Sequence, residues 1–307
     1  MELRQLRYFA KVAECGSMGR AAAELGVVTS ALSQQISRLE SELSTRLLTR
    51  AATGVTLTDA GLAFLRQAQL ALRHADDAAL AAKSSRLSGH VSVGLAPTTA
   101  SVLAVPFMRA MRERYPDVRV RLVESLSGYL STMLNARQLD LAIVFQTETA
   151  RRWSIQPLID ERLFLIARDD LPGLPPPGPV RLREVAALPL LLPTASHGLR
   201  ALLDHAFARL RVAPTLAAEI DGLEVLMELV RAGHGATLQP GAAAVRRGES
   251  LGLRLVRERS LARTSLLASL SDDELSPAAL AVRVLLAQTA ASLVKAGAWP
   301  GATLHKS

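Results

Sequence analysis

The sequence predicts an α+β multidomain chain: a helical N-terminal domain ending in a hairpin, a long helix, and a C-terminal α/β domain. Three observations predict it. Residues 3–43 place apolar side chains at helical spacing, interrupted at two glycines. Residues 65–82 carry a heptad stripe. From residue 90 onward, short β-rich runs alternate with helical ones.

The elements follow in order. Leu3, Leu6, Phe9, Ala10 and Ala13 line one face of a first helix, which Gly16 and Ser17 end. A second helix runs from Met18 to Leu25, Gly26 turns the chain, and a third helix runs from Thr29 to Leu43. Val55 and Leu57 alternate with Thr56 and Thr58, as in a short strand. A long helix starts after Thr58, with Leu65, Ala68, Leu72, Ala75, Ala79 and Ala82 in alternating steps of three and four. That stripe suits a partner helix, since alanines permit close approach, or it packs on the helix's own domain. The run SSRLSG (84–89) reads as a hinge.

Beyond it, VSVGL, VRVRLVE and DLAIVF read as strands between helices, which argues for a parallel-rich sheet with crossover helices. PLIDERLFLIAR is a long strand, and the prolines of LPGLPPPGPV (171–180) make that segment a loop. Strand and helix alternate again through LPLLLP, SHGLRALLDHAFARL, LAAEI, LEVLMELVRAG and GATLQP. TSLLASL reads as a strand, Ala278 to Val294 as a last helix and residues 296–307 as a loose tail. The expected domains are residues 1–58, a linker helix 59–88, the domain 89–295 and the tail 296–307.

Composition narrows the function. Hydrophobic residues make up 49% of the 307, enough for large cores and too many for a disordered chain. A net charge of +8 suits a polyanionic partner such as DNA, although a solvated arginine-rich surface gives the same total. Cys15 is the only cysteine, so a disulfide within the chain and a cysteine metal site are both excluded, in keeping with a reducing cytosol. The N-terminus is charged and amphipathic rather than a signal peptide, and no run of 18 apolar residues occurs. A cytoplasmic location is expected, with no membrane partner. No GxSxG, catalytic cysteine setting or metal-ligand spacing is present, so no catalytic residue, metal or cofactor is expected. His197 and His234 suit turns or helix caps better than metal ligation.

The most specific signal is SMGRAAAELGVVTSALSQQISRLE (17–40). A helix-turn-helix needs a small residue where its helices meet and a turn residue tolerant of positive φ; Ala22 and Gly26 supply them. Leu25, Val27, Leu32 and Ile36 form the expected buried seam. Thr29, Ser30, Ser33, Gln34 and Arg38 then face outward, able to bond bases or phosphates. Ordinary helical hairpins share the AAxxLG pattern; the outward polar row and the following wing distinguish this one.

With LRQLRYFAKVAECGSMGRAAAELG, SALSQQISRLE and RLLTRAATGVTLTDAG in place, the sequence resembles the LysR-type transcriptional regulators over almost its whole length. GHVSVGLAP, LDLAIVF and LVRAGHGATLQP extend the resemblance; GLAPTTAS and VESLSGYLSTMLNARQLDLAIVF look most like the nitrogen assimilation control subgroup. The resemblance implies a winged helix-turn-helix whose recognition helix, residues 29–38, enters the major groove of double-stranded DNA. Ser33 and Gln34 would read bases beside Thr29 and Ser30, while Arg38 and Arg50 hold phosphates. Two departures stand out. Val28 replaces a serine that caps the recognition helix, leaving Thr29 as the candidate cap. Thr53 stands where the wing commonly carries a second arginine, so a shallower salt dependence of DNA binding is expected.

The resemblance further implies a regulatory domain of two α/β lobes like the periplasmic binding proteins: lobe I at 89–160 and 267–295, lobe II at 161–266. The chain would cross near residues 160 and 266, with a small-molecule effector between the lobes. Pro97, Thr98, Thr99 and Ser101 follow one strand and open a helix; Pro193, Thr194, Ser196 and His197 do the same in the other lobe. Gln146 joins this candidate set. These hydroxyls cap their helices or bind a ligand; two helix N-termini facing one cleft favour a small organic anion, met by Thr98, Thr99 and Thr194. Linker helices would pair two chains, and regulatory domains would join dimers into a tetramer that addresses a dyad-symmetric operator and, through it, RNA polymerase. An enzyme, a transport receptor and a regulator with a vestigial cleft are the other readings.

Overall fold

The computed structural model describes residues 1–51, 54–83, 87–145, 153–195, 197–245, 251–258 and 260–306. It divides into two units, Met1–His90 with Ala136–Gln138, and Val91–Asn135 with Leu139–Ser307.

In the first unit, α1 (Leu3–Cys15), α2 (Met18–Leu25) and α3 (Thr29–Glu42) surround one core of Phe9, Val12, Ala21, Ala22, Leu32, Ile36 and Leu39. Leu25 and Val27 pack against it, half-buried. Gly16 and Gly26 end the first two helices in the left-handed region, at φ 60° and 66°, which glycine adopts without steric cost. β1 (Leu48–Ala51) and β2 (Gly54–Leu57) pair antiparallel as a wing. Buried Glu40 anchors it by accepting the amides of Leu47 and Leu48 at 2.8 and 3.0 Å. Thr58 opens α4 (Asp59–Lys83) by accepting the Gly61 amide at 2.9 Å.

The stripe on α4 is partly covered from within. Ala68 is buried, Leu65 packs on the α1–α3 core, and Phe64 meets Phe9 edge-to-face at 5.3 Å. Only the later positions stay open, Ala75 half-buried and Ala79 exposed. The sequence pattern does not show which face α1 covers, because α1 reaches it only in three dimensions.

The second unit is built on one eight-stranded mixed sheet. Lobe I holds β3 (Gly89–Leu95), α5 (Pro97–Arg114), β4 (Val118–Glu124), α6 (Ser127–Asn135) and β5 (Leu141–Phe145). β6 (Ser154–Arg168) leads onward to α7 (Leu182–Val185), β7 (Leu190–Leu192), α8 (Gly198–Leu210) and β8 (Leu216–Glu219). Then come α9 (Leu223–Arg231), β9 (Thr237–Pro240), β10 (Leu251–Leu255), β11 (Ala262–Ser269), α10 (Pro277–Lys295) and β12 (Ala302–Leu304). The path is β10-β6-β11-β5-β3-β4, with β9 and β12 also on β6. β3 and β5 are parallel, as are β7 and β8, but every partner of β6 is antiparallel. The sheet is therefore mixed rather than parallel-rich.

β6 is the spine of both lobes. Its first part, to Arg162, pairs with β11; from Leu163 it pairs with β9 and β10. The return crossing falls at Ala262–Thr264: Val256 and Leu261 still belong to the lobe II core, and β11 joins β5 of lobe I from Ser265 onward. Arg263 lies at this crossing as a strand residue with a buried partner. The tail expectation is also corrected. Trp299 is 2% exposed and β12 pairs with Ile159–Glu161 of β6. α10 is apolar enough over its length to suit a bilayer, but it buries Ala278, Val282, Leu286 and Ala290 and packs on α5.

Candidate DNA interface and inter-lobe cleft

The recognition surface is set by the burial pattern of α3. Leu32, Ile36 and Leu39 face the core; Thr29, Ser30, Gln34 and Arg38 are exposed and Ser33 is half-buried. Helical spacing puts these polar residues on the face opposite the seam. Val28 is the N-cap and makes no side-chain cap bond; Thr29 is already the first helical residue, so it is not the cap. Arg38 lies 3.3 Å from Glu42, an exposed pair that a phosphate can replace at little cost. Arg50 lies in β1, while Thr53 lies outside the described residues.

In the second unit, a cavity of about 30 Å³ lies between the lobes. Thr98, Ser127, Phe145 and Arg263 line it from lobe I, and Pro193, His197, Asp221 and Gln239 from lobe II. Pro97 and Leu223 continue into an adjoining groove of about 480 Å³. The small cavity is water-sized, so a metabolite enters only if the lobes part or it extends into the groove.

Arg263 dominates this site. It is 6% exposed, and its Nε donates to Glu161 at 2.9 Å. Its Nη2 donates to the Thr98 hydroxyl at 2.6 Å, and the guanidinium stacks 3.6 Å from the Phe145 ring centroid. Burial draws its pKa down, and Glu161 opposes that. Glu161, 1% exposed, also accepts from the Ser265 hydroxyl at 3.1 Å and the Trp299 indole at 3.0 Å. These donors meet the remaining lone pairs of the Glu161 carboxylate, which makes its burial tolerable.

The candidate hydroxyls separate. Thr98 lines the cavity. Thr99 is fully buried and does not, and Ser101 donates to the carbonyls of Thr98 and Ala242 at 2.8 and 2.9 Å. Thr194 does not await an anion; its amide and hydroxyl both donate to Asp221, at 2.9 and 2.8 Å. These bonds hold the Asp221 carboxyl below its ordinary value. His197 caps α8, its Nδ1 accepting the Leu199 amide at 3.2 Å, and burial followed by Arg263 pushes its pKa down. Gln146 and Ser196 lie outside the described residues. Arg263, Glu161 and Asp221 escape sequence reasoning because their neighbours come from distant strands. The charged triplet Asp160–Arg162 at the head of an apolar run is the one visible hint, and it touches only Glu161.

A helix-turn-helix with an outward polar face, in a chain that also carries two lobes around a cavity, defines a ligand-responsive, DNA-binding transcriptional regulator. Residues 3–62 match the model described as bacterial regulatory helix-turn-helix protein, lysR family, and residues 84–291 match the LysR substrate binding domain. The chain belongs to the LysR family of transcriptional regulators. It is 37% identical over 247 residues to the nitrogen assimilation regulatory protein nac of Klebsiella aerogenes, covering 80% of each chain. It is 35% identical, with the same coverage, to the Escherichia coli protein of that name. Among solved structures, its fold resembles that of a full-length OxyR variant from Pseudomonas aeruginosa (TM-score 0.73, 22% identity, 100% and 99% of the two chains). It also resembles full-length CbnR in complex with its target DNA (TM-score 0.69, 24% identity, 95% and 100%).

Proposed function

We propose that this regulator reads a dyad-symmetric operator through α3 and is controlled by a small organic anion bound between its lobes. The observation that carries the DNA reading is the exposed polar row Thr29, Ser30, Gln34 and Arg38, opposite the buried Leu32–Ile36–Leu39 seam. Ser33 and Gln34 read base edges, Arg38 and Arg50 hold phosphates, and Thr53 gives up a phosphate contact that an arginine would make. The likeness to the nitrogen assimilation regulators supports a role in nitrogen metabolism, in the cytoplasm.

The open end of the α4 stripe, at Ala75 and Ala79, pairs two chains and sets two recognition helices on the two half-sites. Regulatory domains then join dimers into a tetramer, and a change in lobe closure alters DNA bending and access of RNA polymerase. A ligand does this only by binding one arrangement more tightly than the other. For the ligand, the buried cation Arg263 and the N-terminus of α5 favour negative charge on the lobe I side. The Asp221 carboxylate already takes the amide and hydroxyl of Thr194 ahead of α8, so the two helix ends do not act alike.

The test is fluorescence anisotropy of the full-length chain on DNA from its own promoter region, against a scrambled duplex. Gln34→Ala is expected to lose about 1–3 kcal/mol of discrimination between the two. Arg38→Ala is expected to weaken both equally. Equal affinity of the parent chain for the two duplexes would overturn the reading.

A further inference from the structure

The inter-lobe cavity has two poles of opposite sign. On the lobe I wall, Arg263 is buried and uses Nε and Nη2 on Glu161 and Thr98, while Nη1 has no partner among the described residues. On the lobe II wall, the Asp221 carboxylate accepts only from Thr194, and no cation pairs with it among the described residues. His197 lies within electrostatic reach of both, feeling Arg263 and Asp221 with opposite sign. Between the poles the wall is apolar, with Leu126, Ile220, Leu223 and Leu226.

A simple anion satisfies only half of this arrangement. Its charge would meet Arg263, but it would leave the exposed Asp221 carboxylate on the opposite wall without a counter-charge. Glu161 balances the charge of Arg263 but leaves its Nη1 donors to a ligand, while the Asp221 carboxylate meets no cation among the described residues. A ligand carrying both signs answers both walls at once.

Resting on the reading of this cleft as the effector site, we infer that its ligand is an α-amino acid, with the carboxylate on Arg263 Nη1 and the ammonium on Asp221. The apolar stretch between them takes the side chain. Because the poles belong to different lobes, such a ligand ties the lobes together, and its binding favours the closed arrangement.

The experiment is isothermal titration of the full-length protein with each of the twenty standard L-amino acids, its deaminated acid and its decarboxylated amine. At least one amino acid is expected to bind tenfold or more tightly than both of its matched analogues. Asp221→Asn, which keeps the shape of the side chain, is expected to erase that preference and leave the amino acid no better than its acid. Acids that bind as well as their amino acids, with Asp221→Asn without effect, would overturn the zwitterion assignment and leave the anion reading standing. Amines that bind best would overturn both, as would heat from none of the three sets.

Discussion

Thr194 and His197 show how a residue's role depends on its neighbours. Both stand at the entrance to α8, where free amides favour an anion. Asp221, just past the end of β8 beside β7, takes the Thr194 donors, and His197 turns inward to cap the helix. His197 carries a pH consequence. Burial and the nearby Arg263 lower its folded pKa below the ordinary 6.5, while Asp221 pulls the other way. The unfolded chain therefore binds the proton first as pH falls, and stability is lost progressively below pH 6.5. Asp221 contributes in a separate window, its stabilisation being lost only below its ordinary 3.8. Urea denaturation of His197→Gln at a series of pH values is expected to show a flatter profile below pH 6.5 than the parent. An unchanged slope would contradict the assignment.

At the scale of elements, α3 is amphipathic for one reason, the wing is held for another and β12 exists for a third. Residues in α3 are ordered by the 3.6-residue period, which local sequence encodes. The wing is held by Glu40, whose burial as a carboxylate is tolerable because two amides and Arg46, at 3.5 Å, meet it. β12 forms because β6 offers it an edge and because Trp299 fills a gap beside Glu161. Nothing within residues 296–307 marks a strand in advance. Trp299→Ala is expected to cost about 3–5 kcal/mol through the cavity it leaves. Trp299→Phe keeps most of the volume but orphans one Glu161 oxygen, and is expected to cost about 1–3 kcal/mol. Equilibrium unfolding of the full chain, followed by circular dichroism, measures both.

For the whole molecule, affinity for DNA depends on how many phosphates are neutralised, and thus on the number of wing and helix cations. Thr53→Arg is expected to steepen the slope of log affinity against log salt by about 0.9 for each added contact, doubled in a dimer. Titration of binding from low to moderate salt reads this directly; an unchanged slope would place residue 53 away from the phosphate backbone. The long-range part of the fold is carried by β6, which joins both lobes through partners that lie about a hundred residues away in sequence, as in Glu161 with Arg263.

That contrast separates what was legible in the chain from what was not. The helix-turn-helix, the start of α4 at Thr58 and the strand–helix alternation are written in spacings of a few residues, because helices and strands repeat with short periods. Gly16 and Gly26 announce their turns by backbone chemistry alone. The strand at 302–304 and the two poles of the cleft depend on pairs such as Glu161–Arg263, Thr194–Asp221 and Trp299–Glu161. Their partners meet only after the chain has folded back on itself. No periodicity encodes such meetings, because the energy of a buried charge depends on what surrounds it in space, not on what precedes it along the chain.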